Sequence, residues 1–122
     1  MSQVTPPLEK WLAEIKSGPD ADRIGMYLMH NGVVRGSSRA GTPVTGMELT
    51  YDHAGLASAI ERVEQMDGVI CVRAWVNEGT LEVGDDIMYA LVGGDFREHV
   101  FAGLQELVRI IKSEVVAERE AS

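Results

Sequence analysis

The residues in this sequence best able to do chemistry are cationic and lie toward its C-terminal end. Arg97 stands near the start of a long amphipathic segment, Lys112 follows fifteen residues later, and Arg119 seven residues after that. Seven residues are about two helical turns, so if the helix continues, Lys112 and Arg119 share a face. Such a set can grip an anion: the planar arginine fork binds phosphate or carboxylate through paired hydrogen bonds, and lysine adds a compact point charge. The apolar stripe of the segment contains Leu104, Leu107 and Ile111, which puts Lys112 at its margin. There a lysine also commonly lays its stem over hydrophobic surface, so both readings stand. Two further arginines, Arg35 and Arg39, lie at the entrance to and inside a glycine- and serine-rich stretch, residues 36–43.

Other chemistries find less support. His30, His53 and His99 show no paired ligand spacing, and no HExxH, CxxC or EF-hand pattern occurs, so no metal site is expected. The adjacent Asp85 and Asp86 read as a solvated turn. Gly93-Gly94 precedes a helix and could offer N–H groups to an anion, but no GxGxxG or GxxxxGK[ST] accompanies it. Ser37 and Ser38 lack a well-placed base. The single cysteine, Cys71, lies in an apolar run and is expected to be a buried, inert thiol, which suits a reducing cytoplasm. A net charge of −8 with no lysine- or arginine-rich run opposes binding to a nucleic-acid backbone. No apolar stretch approaches the roughly 20 residues of a membrane span, and the first ten residues lack a secretory pattern.

The elements that must position these residues follow from periodicity. With 122 residues there is room for one core, hence one domain over 1–122. Pro6-Pro7 followed by Leu8, Trp11, Leu12 and Ile15 predicts a short helix stopped at Gly18-Pro19, with Trp11 packed on the domain. Alternating Ile24, Met26 and Leu28 predict a strand, with a turn or bulge at Asn31-Gly32 before Val33-Val34. Residues 36–43 are expected to form a mobile loop, and 44–51 a second strand. Leu56, Ala59, Ile60 and Val63 mark a helix over 52–66, ended by Asp67-Gly68. Residues 69–76 are the leading core strand, and 80–83 with 86–92 are expected to pair as an antiparallel hairpin. Asp95 with Glu98 suggests a capping box for the last helix, whose stripe is Val100, Leu104, Leu107, Val108, Ile111 and Val115. Beyond Glu118 a short polar tail is expected to fray. The order predicts an α+β domain with two main helices on a mixed or antiparallel sheet.

Several local segments in order resemble the large, catalytic subunit of molybdopterin synthase (the MoaE-like proteins), of which this chain looks like a divergent member. The resemblance spans about 8–120. Asn31-Gly32-Val33-Val34-Arg35 looks like the family's loop entrance, and Gly79-Thr80-Leu81-Glu82-Val83-Gly84-Asp85 resembles its hairpin. Ile87 to Leu91 is similar to the strand before its active-site helix, and Ile110-Ile111-Lys112 to its lysine-bearing turn. The resemblance implies an α/β hammerhead-like fold, commonly a homodimer, and a cytoplasmic enzyme of molybdenum cofactor biosynthesis without a cofactor of its own. It implies sulfur transfer from a ubiquitin-like small subunit, carrying a thiocarboxylate on its C-terminal Gly-Gly, to cyclic pyranopterin monophosphate. By position Arg35 matches the family's entrance arginine, Arg97 the arginine of its histidine–arginine pair, and Lys112 the first of its two lysines. Lys112 and Arg119 would then be catalytic, and Arg35, Arg39, Arg97 and His99 would bind substrate. Three departures stand out. Phe96 replaces the family's histidine, Arg119 its second lysine, and Val116-Ala117-Glu118 its proline-aromatic approach. His99, three residues after Phe96, is the candidate substitute. A non-catalytic relative binding a partner tail or anionic ligand, and an unrelated small-ligand or dimerisation domain, are the alternatives.

Overall fold

The computed structural model describes residues 8–121. Three α-helices and six strands are formed by the described residues, with one 3-10 turn and one π turn between them. Helix α1 (Leu8–Lys16) leads through a short 3-10 turn to β1 (Met26–Val33), β2 (Gly46–Tyr51) and α2 (His53–Glu64). Then come β3 (Val69–Val76), β4 (Gly79–Glu82), β5 (Asp86–Gly94), α3 (Arg97–Ile110), a π turn (Ile111–Val115) and β6 (Val116–Ala121). The expected start of α1 at Pro6-Pro7 lies outside the described residues.

Two antiparallel three-stranded sheets form, ordered β1-β5-β3 and β4-β2-β6. The α+β expectation holds, and the sheets contain no parallel pair. In the first sheet the pleat sorts side chains cleanly. Met88, Ala90 and Val92 of β5 join Val63 of α2 and Val100 and Leu107 of α3 in the main core. On the opposite face, Leu91 and Cys71 meet Trp11 and Ile15 of α1, which is therefore docked through its tryptophan. The second sheet adds Met47, Leu49 and Leu81 to the main core. The bulge expected at Asn31-Gly32 is present as a register shift between Gly32 and Val33.

Four expectations are corrected. First, β4 and β5 do not pair: β4 lies on β2, with Met47 opposite Leu81, while β5 runs between β1 and β3. The turn joining them explains the parting. Asp85 accepts a hydrogen bond from the Glu82 N–H at 2.8 Å, Gly84 takes φ +93°, and Val34 bonds both Gly84 and Asp85 through its backbone. The chain is thereby handed from one sheet to the other.

Second, the polar tail is β6, paired along the whole of β2 from Gly46–Ala121 to Tyr51–Val116. Its side chains are almost all exposed, so backbone bonding rather than an apolar period holds it. Third, residues 36–43 form a tight, internally bonded turn. The Ser38 N–H donates to the Thr42 carbonyl at 2.8 Å, the Ser38 and Thr42 hydroxyls bond each other, and Val44 N–H donates to Gly36. Fourth, no capping box forms at α3: Asp95 Oδ1 accepts from the Phe96 N–H and bonds His99, and Glu98 takes no part.

Candidate functional site

Helix α3 decides where the cations stand. It follows β5, turns back over the sheet and runs alongside β1. Its start lies near Gly25, whose N–H donates to the Gly94 carbonyl, and its end lies near the end of β1. Arg97 and Lys112 occupy opposite ends of this rod. At about 1.5 Å per residue they are roughly 22 Å apart along its axis. Arg97 and His99 therefore belong to one end of the domain, and Arg35 and Lys112 to the other.

Arg119 is not on a helix. Because the α-helix stops at Ile110 and opens into the π turn, Arg119 falls on β6, opposite Glu48. Met47 and Leu49 on either side of Glu48 are buried, so Glu48 and Arg119 share the outer face of the second sheet. The expected common helical face of Lys112 and Arg119 does not exist. Arg39 sits exposed in the bonded turn, and Arg35, just before it, reaches Ser37 Oγ at 3.5 Å. Within one chain these six residues do not form one recess.

Arg23, Arg62 and Arg109 each pair with a carboxylate, Asp20, Glu114 and Glu106 respectively. Arg35, Arg39, Arg97, Lys112 and Arg119 make no ion pair among the described residues, nor do Lys10, Lys16 and Arg73, whereas His99 pairs with Asp95. Arg97 is in addition a cation in the first turn of a helix, where the macrodipole disfavours positive charge. Lys112, just past the C-terminal end, sits where the dipole favours it.

His99 is held by Asp95, with 2.6 Å between Nδ1 and Oδ1. That hydrogen bond raises the His99 pKa above the ordinary imidazole value and lowers that of Asp95. Gly68 allows the pair to exist. It adopts φ +75°, and a Cβ there would collide with both His99 Nδ1 and Asp95 Oδ1. Phe96, exposed, meets the His99 ring edge-on at 6.4 Å. Gly93 and Gly94 prove to be strand residues, their role geometric: a Cβ on Gly93 would lie 2.6 Å from Cys71 Sγ. Burial pushes the Cys71 thiol up, as an inert cysteine requires. No group of three or more potential metal ligands occurs among the described residues.

The clearest concavity near Lys112 was not evident from the cation pattern. A recess of about 420 Å³ opens between β1 and α3, lined by Leu28, Met29, His30, Phe101, Leu104, Gln105 and Val108. Lys112 stands in the π turn just past the end of the helix, close enough to the recess for its charge to act on His30. His30 is on the inner face of β1 with Met26 and Leu28, and its Nε2 is buried without a hydrogen-bond partner. Burial and the Lys112 charge both lower its pKa. The alternation through Ile24, Met26 and Leu28, extended one step, places His30 on this face from sequence alone.

Comparisons with known proteins agree with this architecture. The structure of a molybdopterin biosynthesis MoaE protein from Burkholderia ambifaria superposes with a TM-score of 0.75 at 19% identity, covering 98% of this chain and 84% of that one. Molybdopterin cofactor biosynthesis protein E from Burkholderia multivorans gives 0.76 at 17%, covering 98% and 80%. A complex of subunits 1 and 2 of molybdopterin-converting factor from Helicobacter pylori gives 0.69 at 14%, covering 97% and 80%. No curated protein sequence matches the chain. The family described as MoaE protein matches residues 6–114, most of the length, and the chain belongs to that family.

Proposed function

We propose that the chain is the sulfur-transferring large subunit of a molybdopterin synthase. It takes sulfur from the thiocarboxylated C-terminal Gly-Gly of a small ubiquitin-like protein and delivers it to cyclic pyranopterin monophosphate, forming molybdopterin in the cytoplasm. Family membership over residues 6–114 carries this reading, and the Lys112 charge acting on His30 of an open recess supports it. A role in the same biosynthesis is named for the Burkholderia structures, and the Helicobacter complex pairs two subunits of a converting factor.

The roles follow from charge and reach. Arg35, Arg39 and Arg97 bind the precursor's phosphate, with Arg119 adding positive charge and His99 a hydrogen-bonding imidazole. Lys112 stabilises the negative charge that develops on the acyl oxygen of the tail. Because Arg97 and His99 stand about 22 Å from Lys112 along α3, a complete site requires a second copy of the chain that brings its helix start to the first copy's helix end. The active species is therefore a homodimer.

The test is reconstitution of the purified chain with a thiocarboxylated small partner and precursor, following molybdopterin formation. Product that disappears in Lys112→Ala supports the proposal. A chain that binds partner and precursor without turnover supports the second reading, a non-catalytic binder. That reading is favoured by Phe96 and Arg119 at positions where the family has histidine and lysine. Failure to bind either component removes both.

A further inference from the structure

Phe96 has no proton to move, and His99 is engaged by Asp95 far from Lys112, so the Lys112 end of α3 appears at first to lack a proton carrier. His30 fills the gap. It is a histidine among the apolar inner-face positions of β1, it lines the β1–α3 recess, and the Lys112 charge acts on it. Its Nε2 is the one buried side-chain nitrogen or oxygen without a hydrogen-bond partner among the described residues. The ring is accommodated by Gly32, where an added Cβ would lie 3.6 Å from Nε2 and 3.3 Å from Met88 Cγ. A structural histidine on a packed face normally has both nitrogens satisfied or solvated. With Nε2 buried and unpaired, the ring makes no hydrogen bond among the described residues that ties it to the fold, and it borders the open recess beside a cation.

We propose that His30 is the proton acceptor of the sulfur-transfer site. This rests on the function proposed above, and the chemistry of that function requires such a group. Once the thiocarboxylate sulfur has bonded to a precursor carbon, the tail's acyl group is still joined to it through sulfur. Water must separate them. The water oxygen bonds to the acyl carbon, the carbon–sulfur bond breaks with its electron pair left on sulfur, and the tail departs as a carboxylate. One water proton passes to the His30 imidazole, and the other leaves the new carboxylic acid for solvent. Lys112 faces the thiolate and the transient oxyanion.

The environment keeps His30 ready for this. Burial and the Lys112 charge hold it neutral near pH 7, the form that can accept a proton. From the elements packed around it, β5 contributes Ala90 opposite in register and Met88, and α3 contributes the neutral Gln105. Lys112 is the charged group that acts on it. The imidazolium formed in the step is then repelled by Lys112, which returns its proton to solvent and resets the site.

Two measurements test this. In the reconstituted reaction with the full chain, His30→Gln should lower turnover on the order of 10²-fold while leaving partner affinity unchanged, and should abolish the acid limb of the wild-type pH profile. A His30→Gln chain that turns over at the wild-type rate, or keeps that limb, overturns the proposal and leaves the sulfur-transfer reading intact. A wild-type chain that binds both components without turnover overturns both. Independently of turnover, NMR titration of the imidazoles in the wild-type chain should show His30 with a midpoint below the ordinary value of 6.5. Lys112→Met should move that midpoint upward, and a midpoint unmoved by the substitution overturns the placement of the two groups side by side.

Discussion

Gly68→Ala is expected to destabilise the protein far more than a single methyl group suggests. Gly68 lies between α2 and β3 at φ +75°, and its absent Cβ is the space that the His99 ring and the Asp95 carboxylate occupy. Two costs add. A non-glycine residue in the left-handed region costs about 1–2 kcal/mol. Displacing the Asp95–His99 hydrogen bond and the start of α3 with it adds about 1 kcal/mol or more, the usual net value of such a bond. Gly68 O also accepts the Asp95 N–H at 3.0 Å, so the backbone has little freedom to rotate away. The total is about 2–3 kcal/mol, read as a lower urea midpoint at unchanged slope. The two parts separate in a double-mutant cycle. In a background that carries both His99→Ala and Asp95→Ala the collision is gone, and Gly68→Ala should cost only the backbone part, about 1–2 kcal/mol. An equal cost in both backgrounds would refute the steric account, and a cost under 0.5 kcal/mol in the wild type would refute both parts of the reasoning.

The Asp95–His99 pair also sets a pH window. His99 is raised, so its contribution is full below the unfolded imidazole value and lost as pH rises through the folded one. Asp95 is lowered, so its contribution is present above the unfolded carboxylate value and lost as pH falls. Thermal midpoints should therefore be highest between about pH 4 and 6.5 relative to Asp95→Asn, which should flatten that maximum. His30 acts the other way round: its folded pKa is depressed, so its share of stability is lost as pH falls below the unfolded value, and His30→Leu should remove that loss. The same substitution eliminates an unsatisfied buried nitrogen and should stabilise the domain by about 1 kcal/mol at neutral pH while lowering turnover on the order of 10²-fold. Ending the chain after Val115 removes the β2–β6 ladder, and chemical denaturation should show a loss of about 2–4 kcal/mol, at around 1 kcal/mol for each of several backbone bonds.

What could be read from sequence depended on whether burial left a periodic trace. Helix α2 and strand β3 fall almost where Leu56, Ala59 and Val63, and Val69 to Val76, place them, because each buries one face or an apolar run. Strand β6 left no trace, since Ala117 to Ala121 are exposed and only backbone bonds to β2 define them. The parting of β4 from β5 was hidden because the turn residues Gly84-Asp85 suit a hairpin equally well; the deciding bonds come from Val34, about fifty residues away in the chain. The site was legible residue by residue but not as a whole. Lys112 and Arg97 were found from charge and helix position, while the α-helix ending at Ile110 removed Arg119 from their face. His30 leaves only a faint trace, a polar break in the alternation of Met26 and Leu28, which ligand spacing does not reveal.

The spacing along α3 makes the oligomeric part of the proposal open to a decisive test. If Arg97 of one copy and Lys112 of another build each site, neither single-site variant should be active alone, yet mixing Arg97→Ala with Lys112→Ala should restore activity. A mixed dimer joins the intact Arg97 of one chain to the intact Lys112 of the other at one of its two sites, and the remaining site carries both substitutions. With random exchange, half the dimers are mixed and each has one good site, so recovered turnover should approach about a quarter of wild type. Sites confined to one chain would recover nothing, because each chain would carry its own defect. A mixture that stays inactive after verified subunit exchange would therefore leave Arg97 without a place in the chemistry of Lys112, since a rod about 22 Å long cannot bring its own two ends together.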